Sequence, residues 1–326
     1  MKSIFPPKLK KGDEIRVVAP ACSMSLISEE NKKLSVEKLE SLGFKVTFGK
    51  HINETDEFNS SSIESRIEDL HDTFADKNVK MIMPVIGGFN SNQLLKYLDY
   101  KLIKKNPKIL TGYSDITALS NAIFTKTGLV TYSGLCFSNF AMKKGFEYSL
   151  GYFLKCFVEN KPYQIEFSKE WHNDKWYIDQ ENINFIKNDG VCVLNEGLAK
   201  GTIVGANLCT FNLLFGTEYM PSLKNTVLFI EDDHTSDAVT FDRNLQSLIH
   251  QKEFKEVKGV VVGRFEKDSK VTKELLVKII KTKKELNKIP VIIDADFGHS
   301  YPMFSFPIGG EVEISTNPVK IIIKKH

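Results

Sequence analysis

Apolar residues in the first half of the chain alternate between two rhythms, and the alternation predicts repeated strand-turn-helix units. Glu14–Ala19 (EIRVVA) is a short β-rich run stopped by Pro20, with the small polar residues Ser23 and Ser25 behind it. Across Glu29–Leu42, the residues Leu34, Val36, Leu39 and Leu42 form an apolar stripe among Lys and Glu. That stripe predicts a helix, ended by Gly43 where a left-handed backbone is wanted. Phe44–Phe48 reads as the next strand and Ile63–Ala75 as the next helix. Val79–Ile86 (VKMIMPVI) is almost continuously apolar, as suits a strand covered on both faces of a parallel sheet. Gly87 and Gly88 close it, and Asn90, Ser91 and Asn92 are placed to cap a helix begun by Gln93–Leu98. Lys105–Leu110 returns to the sheet before Gly112, and Ile116, Leu119 and Ile123 recur at helical spacing behind Ser114 and Asp115. Parallel strands in this order put Pro20–Ser25, Gly87–Asn92 and Gly112–Asp115 on one carboxyl edge, where open α/β sheets place their sites.

From about Trp171 the texture changes. Trp176–Ile178, Gly190–Leu194, Gly201–Val204 and Val227–Ile230 are short β-type runs broken by Gly and Asn. Arg243–His250 reads as a helix, Gly259–Gly263 as a strand, Lys270–Leu286 as a long amphipathic helix and Ile289–Ile293 as a further strand. The link falls in Glu159–Ser168, where Asn160, Lys161 and Pro162 interrupt the periodicity. The expected architecture is therefore α/β: residues 1–160 as an N-terminal parallel-sheet domain and residues 170–326 as a β-richer, barrel-like α/β domain. The allowance of about 100–200 residues per domain agrees with two for 326 residues.

Composition narrows the class. Apolar residues at 42% and charged residues at 26% are ordinary for a folded globular protein, which excludes disordered and fibrous classes. A net charge of +3, from 44 basic and 41 acidic residues spread along the chain, argues against a nucleic-acid surface. No stretch approaches the roughly 18 apolar residues of a membrane span, and no apolar signal-peptide segment follows Met1–Ile4, so a cytoplasmic protein without membrane contact is expected. Cys22, Cys136, Cys156, Cys192 and Cys209 are odd in number and contain no C-x-x-C pair, so neither a disulfide framework nor a zinc site is indicated.

Candidate chemistry centres on Lys108–Leu119 (KILTGYSDITAL). A serine between a strand and a helix start points out of the fold, with helix N–H groups beside it to receive an oxyanion. The strict G-x-S-x-G pattern is not met, and Gly-Tyr-Ser-Asp is also an ordinary turn with a helix cap. A serine nucleophile needs a base and a carboxylate to orient that base. His299 follows the strand near Ile293 in the loop Asp294–His299, and a turn histidine bonded to backbone is the plainer alternative. Glu231 ends the apolar run Val227–Ile230, where a rigid strand would anchor an orienting carboxylate, although charges after a strand are commonly solvated loop. Asp294, Asp296 and His299 cluster hard ligands without an adjacent further one, so no metal and no cofactor are expected.

Six blocks then occur in order: Lys8–Pro20 (KLKKGDEIRVVAP), Gly87–Asn92 (GGFNSN), Gly112–Asp115 (GYSD), Gly205–Asn212 (GANLCTFN), Leu228–Glu231 (LFIE) and Phe297–Pro302 (FGHSYP). Together they resemble the serine peptidase family of LD-carboxypeptidases and microcin C immunity peptidases, over essentially the whole chain. The resemblance implies Ser114 as nucleophile, Glu231 as orienter and His299 as general base and acid, with the backbone N–H groups of Asp115 and Gly88 as oxyanion donors. It also implies a site between the two domains, a homodimer, and a small peptide or peptidyl-nucleotide substrate. Asn90 in GGFNSN, the segment Trp176–Asn182 and Asn207 in NLCTFN resemble the microcin-immunity branch more than the murein branch, so Asn90, Asn207 and Trp176 are candidate substrate contacts. Ala206 departs from the family, which commonly has glycine before that asparagine. Trp171 and Trp176 are candidates to stack on a nucleotide-like group or simply to pack at the interface. The expected function is a serine carboxypeptidase acting on an aminoacyl-nucleotide or related peptide. Murein tetrapeptide recycling is the alternative, and a non-catalytic small-molecule binding protein is the rival from another class.

Overall fold

The computed structural model describes residues 2–326. Its first layer is a parallel four-stranded sheet in the order Lys45–Phe48, Glu14–Val18, Val79–Pro84, Ile109–Leu110. Val79–Pro84 is central and almost wholly buried, as its apolar run predicts. The helices between the strands start and stop on local signals. Ser28 caps Glu29–Ser41 by accepting from the Asn31 N–H, and Gly43 ends it at φ +91°. Ser62 caps Ile63–Ala75 in the same way, accepting from Ser65.

The expected helix over Gln93–Leu98 is instead a 3-10 turn, Ser91–Leu94, followed by a separate helix, Tyr100–Lys105. Asp99 causes the break: its carboxylate accepts from the N–H groups of Lys101 and Leu102 and starts a new helix. The strand expected from Lys105 accordingly begins only at Ile109.

The second layer is an eight-stranded mixed sheet. Its order is Tyr163–Gln164, Val319–Lys325, Glu311–Thr316, Leu198–Asn207, Thr226–Glu231, Gly259–Gly263, Val291–Ala295, Cys192–Asn195. The four strands from Leu198–Asn207 to Val291–Ala295 run parallel, and Asn207 pairs with Glu231 in register. The ends of these parallel strands carry both Glu231 and the loop to His299. Thr131–Ser133 pairs antiparallel with Phe306–Ile308, tying the two halves of the chain together. Beneath the site Phe229, Phe297, Phe304 and Phe306 pack ring against ring, with centroids 4.9–6.5 Å apart. Each is almost fully buried, and burial of each stabilises by about 1.5–3 kcal/mol.

Two further expectations are corrected. Lys270–Leu286 is not one helix but Lys273–Lys281 followed by a 3-10 turn, because Lys270 is left-handed (φ 57°) and Thr272 caps a fresh start by accepting from Leu275. Trp176–Ile178 forms turns rather than a strand: the Trp176 and Ile178 N–H groups donate back to Asp174 and Lys175. Among the described residues no helix is long and apolar enough to cross a membrane.

Candidate active site

Both layers open their carboxyl edges onto one cavity of about 600 Å³, whose lining includes Gly87, Gly88, Tyr113, Ser114, Trp176, His299 and Tyr301. Ser114 stands in the turn between Ile109–Leu110 and the helix Ile116–Thr127 with φ at +60°. A side-chain-bearing residue holds that conformation only where the surroundings impose it, at a cost of about 1–3 kcal/mol. Part of the imposition comes from Gly87, where an added Cβ would lie 2.8 Å from the Ser114 Cβ and 3.5 Å from the Asp115 nitrogen. The glycine turn is therefore pressed against Ser114, and only glycine allows the approach.

Glu231, 2% exposed at the end of its strand, receives His299 Nδ1 on Oε2 at 2.7 Å. Glycines make room for that carboxylate as well. A Cβ at Gly298 would come within 2.7 Å of Glu231 Oε2, and one at Gly263 within 2.8 Å of its Cβ. Burial pulls the His299 imidazole towards neutrality, but the charge and hydrogen bond of Glu231, with Asp233 and Glu266 behind them, lift its pKa to about 9. The Tyr113 ring lies 5.2 Å from the imidazole. Tyr113 and Tyr301 share a hydrogen bond of 3.2 Å between hydroxyls, and Asn139 Nδ2 donates to each at 3.4 Å. Burial holds both phenols above their ordinary range, so they act as neutral hydrogen-bonding groups. Next to Glu231, Asp232 is raised to about 7 by burial and by its acidic neighbours.

This arrangement brings together a strained serine, an imidazole fixed by a buried carboxylate, and a glycine turn against the serine. Chemically, an imidazole with one nitrogen bonded to a carboxylate can take and return a proton at the other.

The remaining expected contacts fall in two groups. Gly88 and Trp176 line the cavity, and Trp176 is 3% exposed, its plane at right angles to Tyr301. Asp115 occupies the helix N-cap position but makes no capping bond; its carboxylate accepts from the Ser91 N–H at 2.8 Å, and Ser91 Oγ donates to the Asp115 carbonyl at 2.7 Å. Neither Asn90 nor Asn207 lines the cavity. Asn90 Oδ1 and its carbonyl both accept from Arg66. Asn207 caps the helix Leu208–Asn212, accepts from Thr210 and donates to Asp232. Trp171 also lies outside, its ring 5.0 Å below the Arg264 guanidinium. Asp296 is held by Arg264, Ser168 and Asn188 rather than facing His299. Tyr113, Tyr301 and Asn139 were not anticipated: the two tyrosines sit inside the GYSD and FGHSYP blocks, whereas Asn139 carries no local signal.

Comparison with known proteins agrees with these blocks. The LD-carboxypeptidase N-terminal domain family matches residues 15–134, and the LD-carboxypeptidase C-terminal domain family matches residues 200–314. The chain belongs to the peptidase S66 family. Its relatives in that family include YocD of Bacillus subtilis, named as a carboxypeptidase, at 55% identity over 99% of this chain and 100% of that one. The Microcin C7 self-immunity protein MccF of Escherichia coli is 30% identical over 98% of this chain and 95% of its own. A Bacillus subtilis protein named as a murein peptide carboxypeptidase is 28% identical over 99% and 97%. Among solved S66 structures, an MccF-like protein from Bacillus anthracis superposes with a TM-score of 0.98 at 54% identity, covering 99% of this chain and all of that one. MccF in complex with aspartyl sulfamoyl adenosine superposes at 0.90 with 28% identity, covering 99% of each chain. The S66 fold therefore spans the whole of the described chain.

Proposed function

We propose that this S66 peptidase is a serine carboxypeptidase that hydrolyses an amide bond in a small aminoacyl- or peptidyl-nucleotide. The observation that carries the reading is the Glu231–His299 pair at 2.7 Å opening on the same cavity as Ser114, whose backbone is held at positive φ. Ser114 Oγ attacks the scissile carbonyl while His299 accepts its proton, and the charge that develops on oxygen is received by the N–H groups of Asp115 and Gly88. His299 then protonates the leaving nitrogen. Water, activated by the same imidazole, releases the acyl group from Ser114. Glu231 keeps the imidazole in one orientation and stabilises it when charged.

The nucleotide end of the substrate is supported by the whole-length similarity to MccF, which has been crystallised with aspartyl sulfamoyl adenosine. Trp176, Tyr177 and Phe89 on the cavity wall supply aromatic surface for such a group. A murein tetrapeptide is the second candidate, favoured by the relative named for that activity.

Mass spectrometry of the purified protein incubated with aspartyl sulfamoyl adenosine and, separately, with a murein tetrapeptide tests both. Cleavage of the first is expected, with Ser114→Ala and His299→Ala each slower by about 10³-fold or more and still folded. Equal turnover by wild type and Ser114→Ala would exclude the mechanism, and cleavage of the tetrapeptide alone would reassign the substrate.

A further inference from the structure

The helix Ile63–Ala75 carries a cation that the chemistry above leaves unused. Arg66 is 3% exposed, and a guanidinium taken out of water in this way needs compensation at every donor. Its hydrogen bonds all go to uncharged oxygens: Nε donates to the Ser62 carbonyl at 3.3 Å, one terminal nitrogen to the carbonyls of Pro20 (3.4 Å) and Asn90 (3.2 Å) and to Asn90 Oδ1 (3.1 Å), and the other to Gln93 Oε1 (2.8 Å).

Two of those acceptors flank Gly88: Pro20 in the loop packed against it and Asn90 two residues along its own turn, while Ser62 caps Arg66's own helix and Gln93 lies in the 3-10 turn that follows. Pro20 leads into Ala21 and Cys22, and a Cβ on Gly88 would meet the Cys22 sulfur at 2.9 Å and the Ala21 Cβ at 3.0 Å. The Cys22 N–H in turn donates to the Gly87 carbonyl at 3.1 Å, and Ser60 Oγ ties the Ala21 carbonyl from the side of Arg66's own helix at 2.6 Å. Beyond Gly88, Asn90 is fixed by the guanidinium and Ser91 by Asp115, the residue after Ser114. One terminal nitrogen of the planar fork thus bridges the Pro20 and Asn90 sides of the glycine turn, while Nε and the second terminal nitrogen anchor it to Ser62 and Gln93, a set of separated anchors that an ammonium on a flexible stem could not reproduce.

We propose that Arg66 is the positioning residue of the oxyanion hole, fixing from behind the backbone that presents the Gly88 N–H to the atom attacked by Ser114. The inference rests on the reading of Ser114 as nucleophile. Arg66 touches no substrate. Its effect is geometric, and it is strengthened by a positive charge buried on the side where Asp115 begins the nucleophile's helix. Burial lowers the affinity of Arg66 for its proton and the attraction of Asp56, Asp115 and Glu64 opposes that in part, while the high intrinsic basicity of a guanidinium keeps it charged.

The test uses the full chain and whichever of the two amide substrates it turns over. Arg66→Lys retains the charge and loses the fork. The expected result is a fall in kcat of about 10²-fold, the scale on which small displacements in a site act, with KM little changed and the fold intact by circular dichroism. Arg66→Ala with added guanidinium ion is expected to recover part of kcat, whereas methylammonium should not. Gln93→Ala, on an exposed residue, removes one acceptor without opening a core void and is expected to lower kcat less. The outcomes separate the two claims. An Arg66→Lys enzyme with wild-type kcat, beside an inactive Ser114→Ala, overturns the role of Arg66 alone. So does a loss confined to KM, or an Arg66→Ala that guanidinium does not rescue. Wild type that cleaves neither substrate, or Ser114→Ala that matches it, overturns the reading underneath and this inference with it.

Discussion

His299 decides the pH behaviour of the proposed reaction, because a general base works only when unprotonated. Its pKa of about 9 lies above the ordinary 6.5, so folding favours the charged imidazole. The stabilisation from its pair with Glu231 is complete below pH 6.5 and is lost as pH rises through about 9. Catalysis runs the other way: kcat/KM is expected to climb with pH to a limb centred near 9. In Glu231→Gln the burial that pulls the imidazole down is no longer opposed, so the limb should move to lower pH while the plateau falls by about 10²–10⁴-fold. Rate profiles of the two enzymes check this, and superimposable limbs would rule out the pair as the base. At this scale the chain's local chemistry was readable only in part. Ser114 and Glu231 sit where a strand ends, so their placement follows from apolar runs next to them. Arg66 could not be found that way: it lies on a helix of ordinary amphipathic pattern, and its partners come from segments at residues 20, 90 and 93.

Between elements, the helix that follows Ser114 is locked to the strand beside Glu231 by side-chain hydrogen bonds. Asn121 Nδ2 donates to the Gly205 carbonyl at 2.8 Å and Asn121 Oδ1 accepts from the Gly205 N–H, while Thr117 Oγ1 accepts from the Asn207 N–H at 3.1 Å. Asn207 pairs in register with Glu231. All of these groups are buried, so removing one partner strands the others. Asn121→Leu is expected to cost about 1–3 kcal/mol, measured by denaturant unfolding, because Gly205 loses both its bonds. A variant as stable as wild type would show that the clamp does not hold the layers. The helices Glu29–Ser41 and Ile63–Ala75 were legible because their caps and apolar stripes are local. Tyr100–Lys105 was not anticipated because its start depends on Asp99 rather than on Asn90, whose acceptors Arg66 had taken.

Over the whole molecule, the cavity draws its wall from both sheets and from the turns around Trp176, so a bound substrate bridges parts of the chain that are far apart in sequence. Ligand that binds only the folded state stabilises it by mass action. Aspartyl sulfamoyl adenosine added to Ser114→Ala, which should bind without cleaving, is expected to raise stability by about 2.7 kcal/mol at a hundredfold excess over its Kd. Thermal melts with and without the compound check this, and an unmoved Tm at saturating compound would argue for a different substrate.

The order of strands and helices in the first half, and the residue types at the strand ends, could be read from the chain because apolar periodicity, caps and glycine stops act over a few neighbouring residues. Tertiary structure alone decided that Asn207 faces Asp232 and not the cavity, that Trp176 plugs the wall from a turn while Trp171 lies under Arg264, and that Arg66 clamps the glycine turn. Those outcomes depend on which segments meet across sheet register and loop packing, and no local pattern in the chain encodes that.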